Sequence, residues 1–219
     1  MNTALIFAAG RGERLRPLTY DNPKALCVVR GKPLIEHHVC ALSKAGFSRI
    51  IINHAYLGDQ IKRHLGNGAA FDVEIIYTAE PPGALETAGA ILNARAHIQT
   101  RYLVTVSADI YTDFDFSTLT PPSSLQRAHI ILVPLKPEHH QADFALTSDQ
   151  FVHNNPRHYL FGNIACFDMQ TFRDLSLARF SISKLLREWA TTQQLSGEVY
   201  DGLWFDTGNI ARLTRARTN

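Results

Sequence analysis

The sequence predicts an α/β protein, a single domain with a doubly wound, mostly parallel sheet and a mixed C-terminal part. Two observations lead to this fold class. Short apolar runs of strand length alternate with amphipathic segments of helix length through the first half of the chain, and such alternation is typical of βαβ units with right-handed crossovers. The chain has 219 residues, of which 45% are hydrophobic, which is enough for one large core.

The first half predicts four strands and three helices in strict alternation. The strands are 3–8, 49–53, 73–78 and 101–107, and the helices at 3.6-residue spacing are 34–45, 56–65 and 87–96. Gly46 follows the first helix and Gly66 follows the second. Glycine is a good helix stop because it adopts the left-handed conformation without a steric penalty.

The second half of the chain is less regular. Its predicted strands are 129–135, 159–167 and 203–206, and its predicted helices are 183–193 and 210–217. Gly162 predicts a bend or bulge within the second of these strands. Serine is a favoured N-cap residue, so either Ser181 or Ser183 can begin the helix 183–193. We expect one domain over 1–219.

Composition narrows the class of protein. The net charge is +2, whereas a nucleic-acid-binding module usually carries a large basic excess. Three cysteines without a CxxC pair argue against a disulfide framework or a structural zinc site and favour the cytoplasm. The N-terminus lacks the features of a signal peptide, and no apolar stretch approaches the roughly 20 residues that span a bilayer. We expect no membrane association, and a monomer or weak dimer.

The loop that follows the first strand is the first candidate site. It reads AAGRGERLRP over 8–17, and its two glycines let the backbone approach an anion closely. Leu15 stands where the dinucleotide pattern GxGxxG needs its third glycine, and the Walker pattern is absent. The arginines of the loop, with Lys24, can donate charge-assisted hydrogen bonds to phosphate. A surface turn with solvated arginines is the alternative.

The spacing in this region resembles a specific family. A-A-G-x-G-x-R-x-x-P-L-T followed by N-P-K resembles the signature of the sugar nucleotidyltransferases, which make NDP-sugars from an NTP and a sugar 1-phosphate. Later motifs match in order: GKPLI over 31–35, LETAGA over 85–90, SAD over 107–109 and WFDTG over 204–208. The resemblance implies a nucleotide-binding part over 1–115 and a sugar-phosphate-binding part over 116–219. The reaction that the resemblance implies is attack of the sugar-phosphate oxygen on the α-phosphorus, with pyrophosphate leaving.

The resemblance also implies roles for individual residues. Arg14, Lys24 and Asp109 would be catalytic. The nucleotide-binding residues would be Ala9, Gly10, Arg11, Gly12, Lys24, Glu80, Glu86, Thr87 and Ser107. The sugar-phosphate-binding residues would be Asp143, Gly162 and Asn163.

Two aspartates are candidate Mg²⁺ ligands. Asp109 and Asp206 each follow a predicted strand, so each can lie at a carboxyl end beside the opening loop. Mg²⁺ is usually held by one or two carboxylates together with phosphate oxygens and water. The alternative for both residues is a role in a strand-end turn. Asp113 and Asp115 are expected to cap or turn the loop instead, as aspartate often does.

The finer pattern resembles the bacterial uridylyltransferases that act on N-acetylmuramic acid 1-phosphate in peptidoglycan recycling. Its motifs are Glu80-Pro81 with LET over 85–87, NHAYLG over 53–58, PEHH over 137–140 and SGE over 196–198. The substrates would then be UTP and that sugar phosphate. Glu86 replaces the glycine of the general L-G-T loop, and Ala108 replaces the glycine before the metal aspartate. The adjacent His139 and His140 lack a third ligand at a recognised spacing, so a loop or sugar-side role is expected for them.

Three alternatives stay open. A mannose-1-phosphate guanylyltransferase and an enzyme like glucose-1-phosphate thymidylyltransferase share the general signature. A catalytically impaired regulator that binds a nucleotide sugar is the non-enzymatic alternative. Its support is Ala108 and the missing lysine of the E-K-P motif that larger relatives carry.

Overall fold

The computed structural model describes residues 3–81 and 85–218. Its strands, in chain order, are β1 (Thr3–Phe7), β2 (Val28–Val29), β3 (Lys32–Pro33), β4 (Arg49–His54), β5 (Glu74–Ala79), β6 (Tyr102–Ser107), β7 (Ile110–Thr112), β8 (Ala128–Pro134), β9 (Ala145–Leu146), β10 (Val152–His153), β11 (Tyr159–Asp168), β12 (Leu195–Val199) and β13 (Trp204–Asp206). Its α-helices are α1 (Leu34–Lys44), α2 (Gly58–Leu65), α3 (Glu86–Ala94), α4 (Ile182–Thr191) and α5 (Ile210–Thr218).

Seven of these strands form one central sheet in the order β12-β8-β11-β6-β1-β4-β5. β1 pairs in parallel with β4 and β6, β4 pairs in parallel with β5, and β12 pairs in parallel with β8. β11 runs antiparallel to both of its neighbours. The mostly parallel sheet and the mixed C-terminal part are therefore confirmed.

Helices cover both faces of the sheet, as a doubly wound fold requires. Leu5 of β1 packs in a cluster with residues of α3 and α4, whereas its neighbour Ile6 packs with residues of α1 and α2. Side chains of a strand point alternately to the two faces, so each buried strand supplies both cores. A smaller cluster joins Leu213 of α5 to Val29 of β2 and Leu34.

The structure differs from the predicted elements at several places, which include four unpredicted two-residue strands, β2, β3, β9 and β10. The predicted helix 56–65 begins at Gly58, because Leu57 is its N-cap and has a left-handed φ of 54°. The edge strand β12 was not predicted, since its sequence LSGEV interrupts the apolar run with serine, glycine and glutamate. The short strand β7 was also missed, and it pairs antiparallel with β13.

Other local predictions are confirmed. The register of β11 against β8 shifts between Phe161 and Ala165, which is the bulge expected at Gly162. Ser181 is the N-cap of α4, and its hydroxyl accepts a hydrogen bond from the Ser183 N–H. Asp115 caps a turn by accepting from the Ser117 N–H at 2.9 Å. Within residues 3–81 and 85–218, no helix combines the length and apolar character needed to cross a membrane.

Candidate active site

Two adjoining cavities lie at the carboxyl ends of the parallel strands β1, β4, β5 and β6, the edge at which open α/β sheets bind ligands. The first has a volume of about 240 Å³, and the residues predicted to bind nucleotide or metal that line it are Ala9, Gly10, Lys24, Glu80, Glu86, Thr87, Ser107 and Asp109. The second is lined by the predicted residues Gly10, Arg11, Gly12, Arg14, Lys24 and Asp109, and by Glu13 and Gly208, which were not predicted. The structure thus brings these predicted residues together.

The glycines of the opening loop serve two different purposes. Gly12 has a φ of 65°, and a Cβ there would lie 3.0 Å from the Lys24 Cβ and the Thr19 Cγ2. The Thr19 hydroxyl also donates to the Gly12 carbonyl at 2.8 Å. A Cβ at Gly10 would meet no atom within 4 Å, so a ligand can approach the backbone at that position.

Asn53 connects the opening loop to Glu80 through two hydrogen bonds within the lining of the first cavity. Its Oδ1 accepts from the Ala8 N–H at 2.8 Å, and its Nδ2 donates to Glu80 Oε1 at 2.5 Å. Glu80 Oε2 accepts from the Leu85 N–H at 2.8 Å. Both oxygens of Glu80 are therefore engaged by the protein. Asn53 was not predicted as a site residue, although an amide that ends an otherwise apolar strand was a usable signal.

The backbone of Glu86 is left-handed, with a φ of 59°. This conformation favours glycine, which accounts for the glycine that the general family pattern carries at this point. The Glu86 carboxylate lies 3.5 Å from Nε of Arg179 and lines the first cavity. Residues 82–84, which belong to the same predicted base-binding stretch, lie outside the described residues.

A segment of the C-terminal half holds the start of α3 in place. The Phe180 carbonyl accepts from the N–H groups of Ala88 and Gly89 at 3.1 and 3.3 Å, and the Phe180 N–H donates to the Leu85 carbonyl at 3.2 Å. The Ile182 N–H donates to the Thr87 hydroxyl at 2.9 Å. The first-turn N–H groups of Ala88 and Gly89 thus have partners, as buried helix ends require.

Lys24 and Asp109 meet where the two cavities join. Lys24 Nζ lies 2.6 Å from Asp109 Oδ2, and Lys24 is only 9% exposed, whereas 38% of the Asp109 side chain is exposed. The Asp109 carbonyl accepts from the N–H and the hydroxyl of Thr207 at 2.9 and 2.7 Å. These contacts fix the backbone that carries the Asp109 carboxylate.

His38 contacts the backbone of Ile110, the residue that follows Asp109. It lies on α1 and is buried, with Nε2 2.9 Å from the Ile110 carbonyl. Burial lowers the pKa of His38 to about 4, so the ring is neutral near pH 7. Because the Ile110 carbonyl can only accept, Nε2 carries the proton and donates.

Asp206 lies beside Asp109 through the pairing of β13 with β7, in which it stands opposite Ile110. Its Oδ1 accepts from the Gly208 N–H at 2.6 Å, and its Oδ2 lies 2.5 Å from Nη1 of Arg212. His139 Nε2 is 3.5 Å from the same Oδ2. The sequence did not predict Arg212 or His139 at this place. His139 belongs to the loop expected to have a structural or sugar-side role.

The carboxylates present suit an ion that needs few protein ligands, such as Mg²⁺, rather than an ion enclosed by protein ligands on all sides. Within 3–81 and 85–218, no group of three or more His, Cys, Asp or Glu side chains could hold a metal. Asp109 lines both cavities, whereas the other predicted metal ligand, Asp206, lines neither of them. Two carboxylates with an open cavity beside one of them would match the preference of Mg²⁺ for few protein ligands. Asp206 also has the turn role considered from the sequence, through its bond to Gly208.

The arginines of the opening loop contact neighbouring side chains. Arg11 stacks over the Tyr56 ring at 5.6 Å from its centroid, and Arg16 stacks over Tyr20 at 5.5 Å. The Arg14 Nη2 lies 3.0 Å from the position of a Cβ at Gly208. Gly208 therefore makes room for the Arg14 guanidinium beside the second cavity.

The three residues predicted to bind the sugar phosphate do not line these two cavities of the described chain. Asp143 Oδ2 accepts from the Phe161 N–H at 2.9 Å, which ties the loop before β9 to β11. The Gly162 carbonyl accepts from the Trp204 indole at 2.9 Å. Asn163 has a φ of 58° within the bulge. Their role in sugar binding stays a prediction.

The chain is similar to known proteins over most of its length. The nucleotidyl transferase family matches residues 3–146. The N-acetylmuramate alpha-1-phosphate uridylyltransferase of Neisseria meningitidis serogroup B is 41% identical, over 98% of this chain and 96% of that protein. The mannose-1-phosphate guanylyltransferase of Mycobacterium tuberculosis is 28% identical over 59% of this chain and 36% of its own length.

A solved structure supports the fold. HddC from Yersinia pseudotuberculosis superposes with a TM-score of 0.81 at 21% identity, covering 100% of this chain and 99% of that one. At this identity the likeness concerns the fold alone. Taken with the family match and the near full-length relative, it shows that the chain is a nucleotidyltransferase and belongs to the nucleotidyl transferase family.

Proposed function

We propose that this chain is an Mg²⁺-dependent uridylyltransferase that joins UTP and N-acetylmuramic acid 1-phosphate to give the UDP-sugar and pyrophosphate. The observation that carries the reaction is the Lys24–Asp109 pair at 2.6 Å, located where the two cavities join. The substrates are supported by the relative from N. meningitidis, which matches along nearly its whole length. We place the enzyme in cytoplasmic peptidoglycan recycling, as a monomer or weak dimer.

The reaction needs positioning and charge more than proton transfer. A sugar-phosphate oxygen forms a bond to the α-phosphorus of UTP, and the bond from the α-phosphorus to the bridging oxygen breaks as pyrophosphate leaves. The nucleophile is already an anion, so no general base is required. Catalysis of phosphoryl-type transfer then rests on holding two anions together and stabilising the charge that develops.

The opening loop would hold the triphosphate. Backbone groups at Gly10, Arg11 and Gly12 line the second cavity together with the Arg14 guanidinium. Lys24, which reaches both cavities, would leave Asp109 Oδ2 and bind an oxygen of the triphosphate next to the reacting phosphorus. Asp109 and Asp206 would hold Mg²⁺, which when bound offsets the negative charge of the two substrates.

The walls of the first cavity would bind the nucleoside. Its predicted residues are Ala9, Glu80, Glu86, Thr87 and Ser107. Of its two glutamates, Glu80 is held through both oxygens by Asn53 and Leu85, so we assign it to shaping the wall. The Glu86 carboxylate faces a single exposed arginine and is the better candidate for ligand contact. We assign 1–115 to the nucleotide and 116–219 to the sugar phosphate, with Asp143, Gly162 and Asn163 on the sugar side.

A substrate matrix tests this function. The purified protein is incubated with Mg²⁺ and each pair of UTP, GTP or dTTP with N-acetylmuramic acid 1-phosphate, mannose 1-phosphate or glucose 1-phosphate, and pyrophosphate release is measured. We expect the highest kcat/KM for UTP with N-acetylmuramic acid 1-phosphate. A preference for GTP with mannose 1-phosphate, or for dTTP with glucose 1-phosphate, would overturn the substrate assignment.

A second result would overturn the catalytic role itself. If the protein binds UTP in a calorimetric titration but releases no pyrophosphate with any pair, it is a nucleotide-binding regulator. Asp109→Asn is the matched control, because it replaces one carboxylate oxygen at the site with an amide of the same size. We expect this variant to fold and to lose turnover.

A further inference from the structure

Asp206, one of the two proposed Mg²⁺ ligands, already carries a cation from the protein. Arg212 Nη1 lies 2.5 Å from Asp206 Oδ2, and the two side chains are only 16% and 23% exposed. The second oxygen accepts from the Gly208 N–H at 2.6 Å. Both oxygens of this carboxylate are therefore engaged, and the stronger partner is a full positive charge in a partly buried position.

The same arginine holds a segment of the C-terminal half. Arg212 Nη2 donates to the Glu138 carbonyl at 2.9 Å, and Arg215, one turn further along α5, lies 2.9 Å from the Glu138 carboxylate. The next residue, His139, reaches Asp206 Oδ2 at 3.5 Å. Its ring also lies 6.0 Å from the Trp204 ring. Arg212 thus joins α5, Asp206 and the segment 136–140.

A divalent cation and the Arg212 guanidinium cannot share Asp206 Oδ2 at low cost. Mg²⁺ binds oxygen at about 2.1 Å, and a guanidinium nitrogen at 2.5 Å from the same oxygen would lie within roughly 5 Å of the ion. Like charges at this separation repel strongly in a partly buried site. A metal that takes Oδ2 as its ligand therefore requires the arginine to leave that oxygen.

We propose that Arg212 is a positioning residue that occupies Asp206 in the metal-free protein and moves, together with the segment 136–140, when a divalent cation binds. The inference rests on the proposed function in one respect, namely that Asp206 ligates the metal. Arg212 acts through Asp206 and through the Glu138 carbonyl. Binding of the metal on the nucleotide side thereby changes the position of a segment in the predicted sugar-phosphate-binding part.

Metal binding without turnover tests the first half of this proposal. Mn²⁺ is titrated into nucleotide-free protein, and the free ion is counted by electron paramagnetic resonance. We expect Arg212→Gln to bind Mn²⁺ roughly tenfold more tightly than the wild type, because it removes a positive charge within about 5 Å of the ion. Arg212→Lys keeps a cation beside Asp206 and should restore an affinity near that of the wild type.

Two further variants separate the possible causes. Arg215→Gln loosens the same segment at the Glu138 carboxylate while Arg212 stays on Asp206, so we expect the wild-type affinity for Mn²⁺. Asp206→Asn should weaken Mn²⁺ binding. Thermal unfolding of each variant establishes that it is folded before the titration is interpreted.

Fluorescence tests the second half of the proposal. The chain has two tryptophans. Trp189 belongs to α4 and is buried in the core, so Trp189→Phe leaves Trp204 as the reporter beside His139. We expect the metal-free protein and the Mg²⁺-loaded protein to differ in Trp204 emission. In the Arg212→Gln background the metal-free emission should already resemble that of the loaded protein.

Two results overturn the inference, and they differ. If Arg212→Gln binds Mn²⁺ with unchanged or weaker affinity while Asp206→Asn weakens binding, Arg212 does not compete with the metal, and the proposed metal site stands. If Asp206→Asn binds Mn²⁺ as well as the wild type does, Asp206 is not a ligand, and the metal site of the proposed function fails as well.

Discussion

Lys24 and Asp109 form a salt bridge of 2.6 Å at the junction of the two cavities, with the lysine almost fully buried and the aspartate partly exposed. They come from opposite ends of the N-terminal half, 85 positions apart. Lys24 follows the opening loop, and Asp109 follows β6. The pair therefore couples the proposed phosphate-binding loop to the proposed metal site.

Lys24→Met tests the role of the buried cation. Methionine fills much of the same space, and water can solvate Asp109, whose side chain is 38% exposed, so we expect a folded protein. Its kcat/KM should fall roughly 10²- to 10³-fold, the usual cost of losing one preorganised donor to developing charge. Lys62→Met is the control, because Lys62 and Asp59 form an exposed pair at 3.5 Å. Equal activity of the Lys24 variant and the wild type would contradict the assignment.

The two glycines of the opening loop should respond differently to alanine. Gly12→Ala places a Cβ 3.0 Å from Lys24 Cβ at a left-handed φ of 65°, so the free energy of unfolding should fall by about 1–3 kcal/mol. Gly10→Ala meets open space and should change stability by less than about 0.5 kcal/mol. It should instead raise the KM for UTP, because its methyl group lies where the ligand approaches. Urea denaturation and steady-state kinetics measure the two effects.

At position 86 the residue that best fits the backbone, glycine, lacks the carboxylate that we expect to contact the ligand. Its left-handed φ of 59° is relieved in Glu86→Gly but not in Glu86→Ala. The glycine variant should therefore be more stable than the alanine variant by about 1 kcal/mol. Both variants lose the carboxylate, so both should show a raised KM for UTP or for the sugar phosphate. Equal stability of the two variants would show that the backbone at this position carries no strain.

His129 predicts a loss of stability in mild acid. Its ring is buried between β8 and β12, with Nδ1 2.9 Å from the Ser196 hydroxyl, and burial lowers its pKa from 6.5 to about 4. Between these values the unfolded chain binds the proton and the folded chain does not, so stability falls as the pH falls from about 7 to 4. The full effect corresponds to about 3 kcal/mol. His129→Gln should reduce the slope of this part of a urea-denaturation series over pH by about half, because His38 has a similarly lowered pKa and contributes over the same range. A slope as steep as that of the wild type would exclude His129 as a cause.

Local pattern was enough for much of the fold. The apolar runs of β1, β4 and β6 and the 3.6-residue spacing of α1 are properties of neighbouring residues, and the structure confirms them. β12 escaped prediction because its pairing with β8, rather than its own sequence, makes LSGEV a strand. The start of α2 was misplaced because a leucine, Leu57, adopts a left-handed φ that its residue type does not favour.

The candidate site likewise has a part that could be predicted from the sequence and a part that could not. The opening loop and the residues at the strand ends were predicted, since glycines and charges that follow a strand mark the carboxyl edge of a parallel sheet. Asn53 was not singled out, because its importance lies in joining Ala8 to Glu80 across two strands. The hydrogen bonds between Phe180 and the start of α3 could not be predicted either, because they join residues more than 90 positions apart.

The sequence by itself therefore determined the alternating α/β order and the cationic opening loop with its glycines, because each is set by residues close in the chain. Only the tertiary structure decided what surrounds the two aspartates. The pairing of β13 with β7 brings Asp206 beside Asp109, and the packing of α5 places Arg212 on its carboxylate. Such contacts depend on the closure of long loops, whose outcome is fixed by the packing of the whole core rather than by local preference.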